Sequence, residues 1–189
     1  MKAAILSVML LLPALTIFQQ QLPKSHEAAI ANWRSIVPAI KNALKENNLN
    51  CDYAGGWEPR VVDAANFSTS DHMSAALVDW CAGGASTDSI VAMNLQDGRP
   101  AISRFVNAKG QPQTVEFLDG SSVTHSDGVE LAPENNAILS FHSMRSEERT
   151  IDCGVNAFVW QPQLRAFKFD KGLSAKATQS RCQSRSPKS

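Results

Sequence analysis

Residues 75–95, AALVDWCAGGASTDSIVAMNL, decide the fold that we predict for this chain. Two apolar runs, each long enough for a strand, flank Gly83-Gly84, and paired glycines at such a position are typical of a chain reversal. Cys81 lies at the end of the first run. The stretch therefore predicts the central hairpin of an antiparallel sheet, with Cys81 as a disulfide position.

Apolar patterns extend this hairpin in both directions. From Ser25 to Asn48, apolar residues recur at steps of three and four, which predicts an amphipathic helix. Pro38 lies inside that stretch, and proline removes a backbone donor and crowds the preceding turn, so we expect a kink or two helices divided near Ser35. Beyond residue 60, apolar runs alternate with turn residues. The predicted fold is α+β. The N-terminal amphipathic segment packs on a twisted antiparallel meander of about six to eight strands, and disulfides cross-link the domain.

Turn signals divide the predicted meander. Asp97-Gly98 is the strongest hairpin signal in the chain, because this pair favours a two-residue turn between strands. The polar stretch 120–136 contains Asp127-Gly128 and predicts a long loop with a short strand around Val123. Strands are predicted at residues 60–67, 73–81, 89–95, 101–106, 114–118, 137–144, 156–160 and 165–169.

The N-terminus predicts export. Lys2 precedes an apolar run from Ala3 to Phe18, which is short for a membrane span of roughly 20 apolar residues and typical of a signal peptide. No clean cleavage motif precedes the glutamines at 19–21, so an uncleaved anchor and a buried helix are the alternatives. We expect residues 1–21 to be removed, leaving no membrane span in a periplasmic or secreted protein. Residues 22–182 are then a single domain, and 183–189 a basic disordered tail.

The four cysteines predict two disulfides, because an even number of cysteines in an exported chain is typical of cross-links. Three pairings are possible. Cys51 with Cys81 and Cys153 with Cys182 is the pairing we favour, since each bridge closes a local loop. A structural zinc site needs close cysteine pairs, and the chain has no C-x-x-C, so we expect neither a metal nor another cofactor.

Charge and motifs exclude several functions. The chain has 18 basic and 18 acidic residues and no basic face in its folded part, so we do not expect nucleic-acid binding. No local catalytic motif is present, but triads converge in space rather than in sequence order. The weak catalytic candidates are Asp79, an acid within an apolar run, with His125 and His142. Asp71-His72 is a further weak candidate for metal binding.

Aromatic residues near the first predicted bridge are the candidate binding residues. Tyr53 and Trp57 flank Gly55-Gly56, and Trp80 precedes a cysteine. A bridge there holds loops rigid, and rigid loops bind at lower entropic cost. We predict an exported, non-catalytic domain that binds a protein or a small ligand. The alternatives are an exported hydrolase whose residues converge only in three dimensions, and an envelope-associated structural protein.

Overall fold

The computed structural model describes residues 25–51, 58–83, 87–115, 117–121, 125–146 and 149–183. Three helices lie in these residues: α1 (residues 25–35), α2 (Val37–Glu46) and α3 (Lys171–Gln183), with a short 3-10 turn at Pro133–Asn135. The strands are β1 (Arg60–Asn66), β2 (Ser74–Gly83), β3 (Thr87–Gln96), β4 (Arg99–Ile102), β5 (Phe105–Val106), β6 (Pro112–Gln113), β7 (Phe117–Ser121), β8 (His125–Ala132), β9 (Ala137–Ser146), β10 (Arg149–Gln161) and β11 (Ala166–Phe169).

These strands form one mostly antiparallel sheet in the order β1-β2-β3-β7-β8-β9-β10-β11-β5-β6, and β4 also pairs with β3. The pairing of β11 with β5 is parallel. The α+β class is therefore confirmed, but six to eight strands was too few, because the described sheet has eleven. The strands β5 and β6 are two residues long and carry no alternation that a sequence pattern could reveal.

The N-terminal helices form a layer on one face of the sheet. They divide at Ile36, as Pro38 predicted, and Pro38 lies in the first turn of α2, where a missing N–H costs no helical hydrogen bond. Trp33, Ile40 and Leu44 are fully buried against the sheet. The N-terminal helices share a buried cluster with residues of β1, β2 and β3, but the predicted helix position is correct only in part, because α3 follows the last strand.

The opposite face of the sheet holds an aromatic core. The rings of Phe67, next to β1, and Phe167, in β11, meet edge to face with centroids 6.0 Å apart. Phe105 stacks on Phe167 at 5.5 Å. Since β1 and β11 are far apart in the strand order, the sheet must bend until its distant strands share this core.

Helix α3 was not predicted from the sequence. Its sequence has no apolar stripe that would indicate a helix. The predicted disordered tail was also one residue too long, because residue 183 is the last residue of α3. The side chain of Asp170 accepts a 2.7 Å hydrogen bond from the backbone N–H of Leu173, which caps the first turn. Residues 184–189 lie outside the described residues.

Helix α3 covers the edge of β10 through a ladder of polar and covalent contacts. Every fourth residue of the helix meets every second residue of the strand, because four helical residues and two strand residues both advance about 6–7 Å. The backbone N–H groups of Ala157 and Val155 each donate 2.9 Å bonds to hydroxyls, and a disulfide completes the series: Ala157–Ser174, Val155–Thr178 and Cys153–Cys182.

The predicted loop at 120–136 was wrong, since β7 extends to Ser121 and His125–Ala132 forms strand β8. The short strand predicted around Val123 lies outside the described residues. Gly128 does not turn the chain. It lies opposite Phe141 of β9, and a Cβ at position 128 would overlap the phenyl ring. The glycine is needed for this close approach, whereas Asp97 and Gly98 do form the predicted turn, with φ angles of 51° and 76°.

Two disulfides are present, and they join the pairs that the spacing favoured. Cys51 bonds Cys81 at the end of β2, and Cys153 of β10 bonds Cys182 of α3. The first bridge ties the chain after α2 to the sheet. The second fixes the C-terminal helix to the edge that it covers.

Candidate functional site

A cavity of about 340 Å³ lies at the end of the sheet where three connections meet. The β1–β2 connection contributes Asp71 and His72, the β3–β4 turn contributes Asp97, and the β10–β11 turn contributes Pro162 and Arg165. Strands β2, β3 and β10 and the residue just before β2 supply the rest of the wall: Met73, Ser74, Asn94, Leu95 and Trp160. The cavity is built from segments distant in sequence, which the bent sheet brings together.

Three residues of the wall have left-handed backbones although none is glycine. The φ angles are 47° for His72, 51° for Asp97 and 47° for Arg165. Within the described residues there are five non-glycine residues with positive φ, so three of the five surround one cavity. Such conformations are uncommon outside glycine, and strained backbone tends to gather at functional sites.

The carboxylate of Asp71 is fixed by the wall. The indole N–H of Trp160 donates a 2.9 Å hydrogen bond to Oδ2 of Asp71. Burial raises the pKa of Asp71, but hydrogen bonds from Thr69, Trp160 and its own backbone, together with the charge of Arg165, outweigh burial and hold the pKa below its usual value. Asp71 is therefore an ionised, oriented acceptor at neutral pH.

A guanidinium lies beside this carboxylate. Nη2 of Arg165 is 4.0 Å from Oδ1 of Asp97, whose side chain is 93% exposed. That separation is longer than a hydrogen bond, so the contact leaves the donors of Arg165 available to a third group. The mouth of the cavity thus carries charges of both signs.

The inner wall combines polar and apolar groups. Asn94 is 3% exposed, and its Oδ1 accepts a 3.1 Å hydrogen bond from the hydroxyl of Ser103. Ser74 accepts a 3.0 Å bond from the indole N–H of Trp33. The apolar part of the wall consists of Met73, Leu95, Trp160 and Pro162. A few fixed polar groups on an apolar lining are typical of small-ligand sites.

The catalytic candidate Asp79 lies elsewhere, in the second half of β2. It is 8% exposed and its Oδ2 is 2.9 Å from Nη2 of Arg60, which also contacts Asp88 at 3.0 Å. Burial raises the pKa of Asp79, and the charge of Asp88 adds to that rise against the opposing effect of Arg60. The side chain is thus a buried acid paired with Arg60.

The two catalytic histidine candidates lie on neighbouring strands. Nε2 of His142 is 3.3 Å from Oδ2 of Asp152, and Asp127 is its cross-strand partner in β8. His125 pairs with Met144 by its backbone, and its side chain lies outside the described residues. Strands β3, β7 and β8 separate Asp79 from His142 in the sheet order. No hydrogen bond joins Asp79 to His142 in the described part of the chain.

Of the predicted aromatic binding residues, only Trp80 lies in the described part of the chain, and it does not line this cavity. Tyr53 and Trp57 lie outside the described residues. Trp80 is half-buried beside the cluster that packs under the N-terminal helices. It lies six residues along β2 from Ser74, or about 20 Å along an extended strand. Binding at the Cys51–Cys81 end stays a prediction, and the cavity is at the opposite end.

No group of three or more potential metal-binding side chains lies among the described residues. In the same part of the chain, no helix is both long and apolar enough to cross a membrane. No protein-family model matches this chain, and neither a curated protein nor a solved structure matches it. The functional argument therefore rests on the geometry of the site.

Sequence reasoning found only parts of this cavity. Asp71-His72 was singled out as a weak metal candidate, and Asp97 as a turn residue, but Trp160 and Arg165 were missed. One local signal was available. Arg165 ends a four-residue connection between strands, a position that commonly adopts a left-handed backbone, and arginine is an uncommon residue type there. Only the bent sheet shows that this turn lies beside Asp71.

Proposed function

We propose that this chain is an exported, non-catalytic domain that binds a small polar ligand in the cavity lined by Asp71, His72, Asp97, Trp160 and Arg165. One observation carries the proposal: left-handed, non-glycine residues from three separate connections surround this one cavity. Each such residue costs on the order of 1–3 kcal/mol. Asp97 adopts positive φ in its Asp-Gly turn, and aspartate and histidine enter this region more readily than most residues. Arg165 has neither reason, and glycine would remove its strain, so a requirement for the arginine side chain is the simplest physical reason for its presence.

The charge state of the site favours recognition over proton transfer. A general acid or base works best with a pKa near the operating pH. The pKa of Asp71 is instead held below its usual value, so the carboxylate stays ionised at neutral pH. Its hydrogen bond from Trp160 also fixes its orientation, which lowers the entropic cost of binding.

The cross-links support the exported part of the proposal. Two disulfides are present, and disulfides persist in oxidising compartments outside the cytosol. The predicted signal peptide at residues 1–21 agrees with this location. N-terminal sequencing of the mature protein from a fractionated native host tests it, and an intact Met1 in a cytosolic fraction would contradict it.

The binding proposal is tested by screening a small-molecule library against the purified protein by thermal shift and tryptophan fluorescence. Trp160 lies in the cavity wall and is expected to report binding. Hits are titrated against Asp71→Asn and against Asp152→Asn, a matched change at an exposed carboxylate that contacts His142 instead. We expect Asp71→Asn to weaken binding at least tenfold and Asp152→Asn to leave it unchanged. Hits that bind both variants equally, or a screen without hits, would refute the proposal.

A further inference from the structure

We propose that the ligand of this cavity is a small zwitterion of the α-amino acid type, with its ammonium group on Asp71 and its carboxylate on Arg165. This inference rests on the proposed function and names the chemical class of the ligand. It follows from the two opposite charges that the wall presents, from the guanidinium donors that Asp97 does not hydrogen-bond, and from the apolar residues of the wall.

The negative side of the cavity suits an ammonium group. A carboxylate offers about four acceptor positions. Hydrogen bonds from Thr69, from the Trp160 indole and from the Asp71 backbone use about three of these positions, which leaves about one for a ligand. An ammonium group carries three donors, and a charge-assisted hydrogen bond to an oriented carboxylate is about twice as strong as a neutral one.

The positive side suits a carboxylate. The side chain of Arg165 is 60% exposed, and its contact with Asp97 is a 4.0 Å ion pair rather than a hydrogen bond. A planar guanidinium can therefore present two parallel N–H groups to a ligand carboxylate. Arg165 lines the cavity although its left-handed backbone carries a conformational cost that a glycine would avoid.

The charges of the wall favour a ligand that carries both signs of charge over a ligand that carries one. The wall carries two carboxylates, Asp71 and Asp97, and one guanidinium, Arg165. A phosphate would meet two carboxylates, and a simple amine would leave the guanidinium with only its 4.0 Å ion pair to Asp97. A zwitterion matches both charges.

The remaining surface defines the rest of the ligand. Met73, Leu95 and Pro162 give the wall an apolar part that fits an aliphatic side chain. A volume of about 340 Å³ is near the lower end for ligand cavities, so the ligand is small. We therefore expect aliphatic amino acids to bind more tightly than acidic ones, which would add a second negative charge beside Asp71 and Asp97.

The test is calorimetric titration of the mature protein with each of the twenty common L-amino acids. L-leucine is then compared with N-acetyl-L-leucine, which has no ammonium group, and with L-leucinamide, which has no carboxylate. We expect an aliphatic amino acid to bind and each blocked form to lose at least tenfold in affinity. Failure of all twenty to bind, or blocked forms that bind as well as leucine, would overturn the inference.

Variants assign each end of the ligand. Arg165→Gln is expected to weaken leucine at least tenfold while leaving leucinamide unchanged, and Asp71→Asn to weaken leucine while leaving N-acetyl-leucine unchanged. Asp152→Asn is the matched control and should change none of these affinities. If library hits respond to Asp71→Asn but no amino acid binds, the ligand class is wrong and the proposed function stands. If nothing binds in the cavity, both fall.

Discussion

The indole N–H of Trp160 donates a 2.9 Å hydrogen bond to the carboxylate of Asp71, which lies 89 residues earlier in the chain. Trp160 is near the end of β10, and Asp71 is in the connection between β1 and β2. The bond therefore joins two strands that are distant in the sheet order. It also orients the one carboxylate of the cavity whose pKa is lowered.

Asp71 and Asp79 predict opposite effects of acid on stability. The folded pKa of Asp71 is lowered from 3.8, so the unfolded state takes up its proton first, and stability is lost as the pH falls through the folded pKa. The pKa of Asp79 in the folded state is raised from 3.8. The contribution of Asp79 to the stability of the folded state is therefore present below the unfolded pKa and is lost as the pH rises through the folded pKa.

Relative to the parent, Asp71→Asn should therefore lose less stability between about pH 6 and pH 2.5, and Asp79→Asn should lose more. Urea unfolding at a series of pH values measures both slopes. If both variants lose more stability than the parent over this pH range, or both lose less, the pKa values of Asp71 and Asp79 are not shifted in opposite directions.

The left-handed backbone of Arg165 predicts that replacing this residue weakens binding without lowering stability. Arg165→Gly should leave the free energy of unfolding unchanged or raise it by up to about 1 kcal/mol, because glycine adopts positive φ without strain. Ligand affinity should fall. Asn48→Gly is the matched control, since Asn48 has a φ of 59° just after α2 and does not line the cavity. A large loss of stability in Arg165→Gly would mean that this arginine is retained for folding.

Gly128→Ala should destabilise the protein by about 1–3 kcal/mol, because the added methyl group overlaps the ring of Phe141. That ring is also covered by the guanidinium of Arg181, 3.6 Å from its centroid, so it has little freedom to move. Thermal unfolding measures the loss. The same change in a Phe141→Leu background should cost less, and Gly172→Ala in the first turn of α3 is the control that should not destabilise. Equal costs in both backgrounds would dismiss the steric explanation.

Ser174→Ala should cost about 1–3 kcal/mol, because it leaves the buried N–H of Ala157 without its acceptor. Hydrogen exchange should show faster exchange of the Ala157 amide. Ser180→Ala, at an exposed position of the same helix, is the matched control and should change neither stability nor exchange. Unchanged exchange at Ala157 in Ser174→Ala would contradict the role of α3 as the cover of the β10 edge.

Local chemistry was enough to determine several elements from the sequence. Pro38 divides the N-terminal helices whatever surrounds it, because the restriction is in its own backbone. Asp97-Gly98 turns the chain for a similar reason, since both residues accept positive φ. The alternating apolar runs specified an antiparallel sheet with a helical layer, and the cysteine spacing favoured the disulfide pairs that are present.

Tertiary structure alone decided the rest. Asp127-Gly128 carries the same two residue types as Asp97-Gly98, yet it lies within β8, which pairs with β9 along its whole length. Gly128 there leaves the space that the ring of Phe141 occupies. Helix α3 has no apolar stripe and is held by hydroxyls that bond a strand edge. The cavity depends on the bend of the sheet, which brings Arg165 beside Asp71. Contacts between residues so distant in sequence arise from packing of the whole chain, and no local pattern records them.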